Sequence, residues 1–218
     1  MISKLQYITQ DIPDRTHAEL AGEACLHGIS WVQFRSKLLK GDDLIKSALD
    51  VKNICTYYKS IFIINDYVRL AKEIKADGVH LGKSDITPIE ARKILGSGFL
   101  IGGTANTFED ILSLHEQGVD YIGLGPFRFT ETKKNLSPIL GIDGYKEIVS
   151  KCREHEIDIP IIAIGGIIES DVEEIMQTGV YGIAVSSVIT NSSNKKKTVA
   201  SLHATMNTMN TLLRNIKF

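Results

Sequence analysis

Short apolar runs alternate with longer segments of helical periodicity along the whole chain. The runs are rich in Ile, Val, Leu, Phe and Tyr, which is typical of buried strands. They begin at Leu5, Trp31, Ile61, Gly78, Phe99, Tyr121, Ile161 and Gly182. Between them, segments such as 42–58 and 107–117 carry apolar residues at three-and-four spacing, which predicts amphipathic helices. A last helix is predicted over 198–215.

Eight strand-helix units in 218 residues predict an α/β protein with a (β/α)8 TIM barrel fold, formed as a single domain over 1–218. The alternative is a doubly wound open sheet. That fold usually places a glycine-rich phosphate fingerprint after the first strand, where this chain has TQDIPDR instead. No low-complexity linker divides the chain, and the polar stretch NSSNKKK (191–197) is predicted to be a surface loop.

Composition narrows the expected partners and location. A formal net charge of -1 gives no field that would gather nucleic acid or an anionic membrane, so small molecules held by local cations are expected. The three cysteines show no CxxC spacing, which indicates neither a disulfide framework nor a zinc cluster. No run reaches the roughly 18 apolar residues of a membrane span, and no signal peptide is evident. We expect a cytoplasmic protein, and leave open whether it forms a homodimer.

The second apolar run ends WVQFRSK, where polar and apolar side chains alternate. Period-two alternation places Gln33, Arg35 and Lys37 on one side of the strand and Val32 and Phe34 on the other. The apolar side is expected to face the helices, so the polar side chains point into the barrel mouth. Two cations there need a negative partner, which is either a bound anion or an internal acidic residue.

Carboxylates follow the next two runs. Asn65-Asp66 ends the third run, either as a cap of the next helix or as part of a site. After the fourth run, a capping box of Thr87 and Glu90 already starts the helix, so Asp85 is not required as a cap. Asp66 and Asp85 at the ends of neighbouring strands indicate a site for a hard cation such as Mg2+, completed by waters and phosphate oxygens.

Two further polar residues lie on the fourth and fifth runs. His80 alternates with Val79 and Leu81 and is expected to face inward, as a packed, hydrogen-bonded core histidine or as a catalytic one. Thr107 makes a suitable cap for the helix that follows the fifth run. Thr104 is therefore left as a hydroxyl at the strand tip.

The seventh and eighth runs end in small residues. A Gly-Gly pair that includes Gly166 precedes a predicted capping box of Ser170 and Glu173, and the eighth run ends in Ser186-Ser187. The loops after strands seven and eight commonly hold a phosphate group in barrel enzymes. A monophosphate site at Gly166 and Ser187 is therefore predicted, with the alternative that the glycines only turn the chain.

The loop after the sixth run is unusually polar, with the sequence GPFRFTETKK. We expect Thr130, Thr132 and Lys133 to close over a pyrophosphate at the anion site formed by the two cations and the two carboxylates. Arg128 either assists them or is a surface residue.

Six motifs occur in one order along nearly the whole chain. They are QFRSK (33–37), INDYVRLA (64–71), DGVHLGKSD (77–85), GPFRFTETK (125–133), AIGGI (163–167) and GIAVSSVI (182–189). Together they resemble the thiamine-phosphate synthase family. The glycine pairs alone would carry little weight, but the ordered set is specific.

The resemblance implies a transferase of thiamine biosynthesis. Its reaction joins hydroxymethylpyrimidine diphosphate to hydroxyethylthiazole phosphate and yields thiamine phosphate and pyrophosphate. The implied course is dissociative: pyrophosphate leaves first, the aminopyrimidine stabilises a methylene cation, and the thiazole nitrogen captures it. Such a reaction needs the charge of the leaving group neutralised, water excluded and the nucleophile held in line.

The resemblance also implies roles for individual residues. Asp66 and Asp85 would hold Mg2+. The residues implied in catalysis are Arg35, Lys37, Thr104 and Lys133. The residues implied in substrate binding are Gln33, Asn65, His80, Thr130, Thr132, Gly166, Ser186 and Ser187. Of these, Gly166 and Ser187 would take the thiazole phosphate.

Several positions depart from the family pattern. Thr104 stands where serine is usual, Asn106 where histidine is frequent, and Lys83 where glutamine is frequent. Arg128-Phe129 replaces a more apolar pair. These changes concern the polar loop and the pyrimidine pocket, and leave the carboxylate pair and the Gln-Arg-Lys strand intact.

Two other functions remain open. A thiazole tautomerase of the same ancestry binds thiazole phosphate without joining it to a pyrimidine, and it needs no metal for a diphosphate. A non-catalytic protein that binds a thiamine precursor is the other alternative. Retention of Arg35, Lys37, Asp66 and Asp85 favours the synthase over both.

Overall fold

The computed structural model describes residues 2–129 and 138–216, with side chains up to residue 209. Eight parallel strands close into a barrel in the order β1 to β8. The strands are β1 (Leu5–Ile8), β2 (Trp31–Phe34), β3 (Ile61–Asn65), β4 (Gly78–Leu81), β5 (Leu100–Ala105), β6 (Tyr121–Leu124), β7 (Ile161–Ile164) and β8 (Gly182–Val185). The predicted (β/α)8 barrel is confirmed, and the open doubly wound sheet is excluded.

Helices follow every strand. In the described part of the chain they are α1 (His17–Leu26), α2 (Gly41–Tyr58), α3 (Val68–Glu73), α4 (Pro88–Leu95), α5 (Phe108–Glu116), α6 (Gly141–Glu154), α7 (Val172–Gln177), α8 (Ser187–Thr190) and α9 (Lys195–Ile216). Both helices predicted from periodicity, over 42–58 and 107–117, match α2 and α5 to within one residue. Among the described residues, none of the helices combines the length and apolar character needed to cross a bilayer.

Two apolar layers stabilise the barrel. The inner layer fills the barrel itself, and its buried members are Ile8, Trp31, Ile63, Tyr121, Ile162 and Ala184. Trp31 and Tyr121 meet there edge to face, with ring centroids 4.9 Å apart. The outer layer lies between strands and helices and includes Val32 and Phe34. The predicted orientation of β2 is therefore correct, because its apolar alternate residues face the helices.

Among the described helices, α1, α4 and α5 begin with capping boxes. Thr87 with Glu90 starts α4, as the sequence predicted. Thr107 caps α5, as predicted, and Asp110 completes a capping box there that was not predicted. The predicted box of Ser170 and Glu173 is wrong. A 3-10 turn over Glu169–Asp171 precedes α7, and its last residue, Asp171, accepts a hydrogen bond from the Ile168 N–H at 2.9 Å.

The chain after β8 also differs from the prediction. A four-residue helix, α8, comes before the long final helix, and α9 begins at Lys195. Residues 195–197 are therefore helical rather than part of a surface loop. The Asn194 side chain accepts a hydrogen bond from the Lys197 N–H at 3.0 Å, which satisfies one of the free amides of the first turn. The charged run at 195–197 indicates a surface loop in the sequence, so the cap at Asn194 was not predicted.

Candidate active site at the carboxyl end of the barrel

The polar ends of β2 and β3 meet inside the barrel mouth. Gln33 is buried, with 2% exposure, and its Nε2 donates to Asn65 Oδ1 at 2.9 Å. Gln33 Oε1 is buried and has no hydrogen-bond partner among the described residues. This contact orients the Gln33 amide and leaves a buried acceptor without a donor.

Asp66 contacts one of the two predicted cations. Lys37 Nζ lies 2.5 Å from Asp66 Oδ2, so an internal acidic partner for Lys37 exists, as the alternative interpretation proposed. Asp66 does not cap α3, whose first turn has no side-chain cap. Its backbone has a φ of 70°, in the left-handed region that asparagine and aspartate tolerate better than most residues.

Asp85 lies beside Asp66. Its Oδ2 accepts a hydrogen bond from the Gly82 N–H at 2.7 Å, and its carboxyl group is within hydrogen-bonding reach of the Asp66 carboxyl. Burial, followed by the Asp66 carboxylate, raises the pKa of Asp85. Two carboxyl groups this close favour a shared proton or a bound cation. The predicted proximity is observed, and the binding of a metal there stays a prediction.

Arg35 completes the charged part of the mouth. Its side chain is half-buried, and burial lowers the pKa of its guanidinium while the charges of Asp66 and Asp11 oppose that shift. Arg35, Lys37, Asp66 and Asp85 therefore occupy one electrostatic cluster at the ends of β2, β3 and β4.

His80 lies below this cluster, buried with 6% exposure. Its Nδ1 is 3.2 Å from the Tyr121 hydroxyl and its Nε2 is 3.0 Å from Thr104 Oγ1. A Cβ atom at Gly102 would lie 2.6 Å from His80 Nδ1 and 2.2 Å from Tyr121 Cζ, so glycine there makes room for both rings. His80 is thus a hydrogen-bonded histidine of the interior, and its contact with a substrate stays a prediction.

The Gly-Gly pair after β7 has a packing role that the sequence did not suggest. Gly166 has a φ of 70°, and a Cβ there would lie 2.4 Å from Arg128 Cγ and 2.8 Å from Phe129 O. Glycine therefore allows the chain that follows β6 to pack on the loop that follows β7. The predicted phosphate role of Gly166 is compatible with this packing but is not tested by it.

The serines after β8 have different environments. Ser186 Oγ donates to Ile8 O at 2.6 Å and also lies 3.0 Å from Gln10 Oε1, so its hydroxyl joins β8 to β1. Ser187 is exposed and is the first residue of α8. Of the two, Ser187 is the more exposed.

Side-chain contacts are made by three of the residues that depart from the family pattern. Arg128 Nη2 pairs with Asp171 Oδ1 at 2.7 Å, and Lys83 pairs with Asp110 at 2.5 Å. Asn106 Nδ2 donates to Gly125 O and to Pro138 O, both at 3.0 Å.

Asn106 thereby links residues on the two sides of 130–137, a role that sequence reasoning missed because the two acceptors are backbone carbonyls. The predicted residues Thr130, Thr132 and Lys133 lie outside the described residues.

A cavity of about 660 Å3 opens at the opposite, amino-terminal end of the barrel, where Ile61, Leu100 and Ile161 begin their strands and line it. Within the described ranges no group of three or more His, Cys, Asp or Glu side chains is placed to hold a metal ion. An ion held by Asp66 and Asp85 would therefore have few protein ligands among the described residues, and metal binding there stays a prediction.

The fold and the mouth together define a (β/α)8-barrel enzyme whose polar groups converge where the strands end. Comparison with known proteins identifies the family. The model of the thiamine monophosphate synthase family matches residues 5–189. The thiamine-phosphate synthase of Bacteroides fragilis is 49% identical over 185 residues, which is 85% of this chain and 91% of that protein. The enzyme of the same name from Flavobacterium johnsoniae is 48% identical and covers 93% of this chain and 96% of its own.

A solved structure agrees. The thiamine phosphate pyrophosphorylase of Pyrococcus furiosus superposes with a TM-score of 0.81 at 27% identity, covering 94% of this chain and 96% of its own. The chain belongs to the thiamine monophosphate synthase family. It is accordingly an enzyme, a transferase of the thiamine-phosphate diphosphorylase type, and the resemblance inferred from the six motifs is confirmed.

Proposed function

We propose that this protein condenses hydroxymethylpyrimidine diphosphate with hydroxyethylthiazole phosphate by a dissociative, Mg2+-assisted substitution that releases pyrophosphate. The observation that carries the proposal is the convergence of two cations and two carboxylates at the ends of β2, β3 and β4. A reaction that expels a diphosphate needs positive charge around the leaving group more than it needs a general acid or base.

The carboxylate pair fits a divalent cation. Asp66 and Asp85 offer hard oxygen ligands side by side, and the Lys37 ammonium already contacts Asp66 Oδ2 at 2.5 Å, so positive charge is accommodated at this carboxylate. Mg2+ commonly binds through one or two carboxylates and completes its coordination with waters and phosphate oxygens. When bound, the ion would supply positive charge beside the departing diphosphate.

Arg35 and Lys37 would hold the diphosphate through charge-assisted hydrogen bonds. They lie on one strand end and its continuation, so both can face the same group. These bonds strengthen as the leaving group takes on charge, which lowers the barrier rather than merely tightening substrate binding. Lys133, Thr130 and Thr132 join them in the proposal through the family resemblance.

The pyrimidine ring would bind over Gln33. The hydrogen bond from Gln33 Nε2 to Asn65 Oδ1 fixes the amide so that Oε1 is left as a buried acceptor without a partner among the described residues. An amino group on the ring supplies the missing donor, which is favourable because an unpaired buried acceptor is costly. Thr104, held by His80, would contact the pyrimidine or its diphosphate from β5.

The thiazole phosphate would lie at the ends of β7 and β8. Gly166 and Ser187 follow these two neighbouring strands, and the exposed Ser187 begins the four-residue helix α8. This arrangement separates the monophosphate from the diphosphate site across the mouth, so the thiazole nitrogen could face the carbon that the diphosphate leaves.

Pyrophosphate release tests the proposed function. Purified protein is mixed with both substrates, with each one alone, and with and without Mg2+. Release that requires both substrates and the metal, with formation of thiamine phosphate, is the expected result. Isomerisation of a thiazole phosphate without pyrophosphate release would identify a tautomerase instead. Binding of a precursor with no turnover in the presence of Mg2+ would identify a non-catalytic binder.

A further inference from the structure

The segment that carries Arg35 and Lys37 is not held by the strand ladder. Backbone pairing between β1 and β2 ends where the Thr9 N–H donates to Gln33 O at 2.9 Å. Beyond that point, side chains from the loop after β1 accept the amide hydrogens. Thr9 Oγ1 accepts the Arg35 N–H at 3.1 Å, and Asp11 Oδ2 accepts the Lys37 N–H at 2.7 Å.

Ser36 and His17 extend this network. The Ser36 hydroxyl donates to Asp11 Oδ1 and accepts the Leu39 N–H at 3.0 Å. His17 lies between the two anchoring residues, with Nε2 at 3.2 Å from Asp11 Oδ1 and Nδ1 at 2.8 Å from Thr9 Oγ1. Backbone amides at 35, 37 and 39 are thus fixed by one connected set of side chains.

The proton positions in this network follow from its donors. A backbone N–H can only donate, so Thr9 Oγ1 accepts from Arg35 and faces His17 Nδ1 with its own hydrogen or its second lone pair. The Asp11 carboxylate can only accept, so the hydrogen of His17 lies on Nε2, which donates to Asp11. In a neutral ring Nδ1 then accepts the hydrogen of the Thr9 hydroxyl. Burial, only partly opposed by Asp11, lowers the pKa of His17, in agreement with a neutral ring.

The network is not needed to start the neighbouring helix. α1 has its own capping box, formed by Thr16 and Glu19. Thr9 and His17 are nonetheless buried, with 0% and 5% exposure, and the His17 ring packs edge-on against Phe34 at the end of β2. Neither side chain serves as a cap, and the hydrogen bonds of the network end on the 35–39 backbone. These buried polar groups therefore indicate a role in shaping that segment.

We propose that Thr9, Asp11 and His17 are positioning residues that set the backbone of 35–39 and thereby aim Arg35 and Lys37 at the diphosphate. This inference rests on the proposed function. The three residues act through the backbone, so their loss should weaken diphosphate binding while leaving the thiazole phosphate site, on β7 and β8, unaffected.

The test compares Thr9→Val with Thr9→Ser. Valine keeps the shape of threonine but removes the hydroxyl, and serine retains the hydroxyl. Binding of inorganic pyrophosphate in the presence of Mg2+ is measured by calorimetry, and the KM of each substrate by steady-state kinetics. Loss of one well-placed hydrogen bond should raise the pyrophosphate Kd of Thr9→Val by about tenfold, and raise the KM of the pyrimidine diphosphate with it. Thr9→Ser should restore both.

Several results would overturn the inference. These are an unchanged pyrophosphate Kd in Thr9→Val, an equal rise in the KM of both substrates, or no difference between the valine and serine variants. A wild-type protein that binds pyrophosphate but releases none from the substrates would refute the proposed function only. The comparison of pyrophosphate Kd between Thr9→Val and Thr9→Ser would still decide the positioning role.

A second measurement needs no folded variant at Thr9. The nitrogen NMR spectrum of the wild-type histidines, with His17 assigned from a His17→Gln spectrum, should show a neutral ring protonated at Nε2 at about pH 7. A ring protonated at Nδ1, or a charged ring, would contradict the hydrogen-bond chain from which the inference is drawn. If Thr9→Val does not fold, Asp11→Asn replaces it in the binding assay, since an amide cannot accept on both sides.

Discussion

Asp66→Asn tests whether Asp66 has the proposed role in the reaction, apart from any contribution to stability. Asparagine is close in shape to aspartate and tolerates the left-handed backbone that Asp66 adopts, with its φ of 70°. The variant removes one negative charge and leaves the hydrogen bond from the residue-66 N–H to His80 O, observed at 2.9 Å, in place. Any large effect then reports on the charge.

The expected loss of stability is small. The ion pair between Lys37 and Asp66 has side-chain exposures of 54% and 20%, and pairs this exposed contribute about 0–1 kcal/mol. Removing the Asp66 charge also relieves its repulsion of Asp85, which offsets part of that loss. A chain of this size should therefore change its Tm by no more than about 2–4 °C.

The expected loss of activity is large. If Asp66 helps to place positive charge beside the leaving diphosphate, the variant should lose about 10²–10³ in kcat, the range measured when one group that stabilises a transition-state charge is removed. Pyrophosphate release and thermal unfolding are measured on the same preparations. Asp50→Asn, at an exposed position of α2, is the matched control for loss of one carboxylate.

Two outcomes would refute this reasoning. Activity within about threefold of wild type, which corresponds to less than about 0.7 kcal/mol of barrier, would exclude an electrostatic role for Asp66. A Tm that falls in proportion to the activity would show that Asp66 acts on folding rather than on the reaction.

Three further predictions use other parts of the structure. Gly102→Ala should destabilise the protein by about 1–3 kcal/mol, because its Cβ would lie 2.2 Å from Tyr121 Cζ. The control Gly98→Ala, with no heavy atom within 4 Å of the new Cβ, should leave the stability unchanged. Equal denaturant midpoints for the two variants would contradict the packing argument. Ser187→Ala should raise the KM of the thiazole phosphate by less than about tenfold, since backbone amides would still hold the phosphate, and a changed KM for the pyrimidine diphosphate would argue against the assigned site. The hydrogen bonds of Asp11 outweigh its burial and lower its pKa. Its contribution to stability is therefore present above the unfolded pKa of about 4 and lost as pH falls through the folded pKa. Asp11→Asn should flatten the acid side of the plot of unfolding free energy against pH, and an unchanged slope would contradict the shift.

Much of the mouth could be predicted from the sequence because strand geometry is local. Period-two alternation alone separates Gln33 and Arg35 from Val32 and Phe34, and the structure places each on the expected side. Thr87 and Glu90 already supply the cap of α4, so the sequence indicates that Asp85 is a candidate site residue rather than a helix cap. These inferences depend on residues within a few positions of each other.

The missed features depend on contacts between distant residues. Asp11 lies in TQDIPDR, which has the composition of an ordinary turn, and its partners at Ser36 and Lys37 are 25 and 26 residues away. The wrong cap at Ser170 has a different cause. Ser170 and Glu173 have the spacing of a capping box, but the 3-10 turn places Asp171, one residue later, in position to accept the Ile168 amide.

The sequence left two possible negative partners for Lys37, a bound anion or an internal acidic residue. The structure shows the acid, with Nζ 2.5 Å from Asp66 Oδ2. A divalent cation on that oxygen would displace the ammonium, which would then be available to a diphosphate oxygen nearby. Metal and diphosphate would each raise the affinity for the other, because each stabilises the arrangement that the other needs. The observed contact between Lys37 and Asp66 is therefore compatible with the proposed diphosphate site.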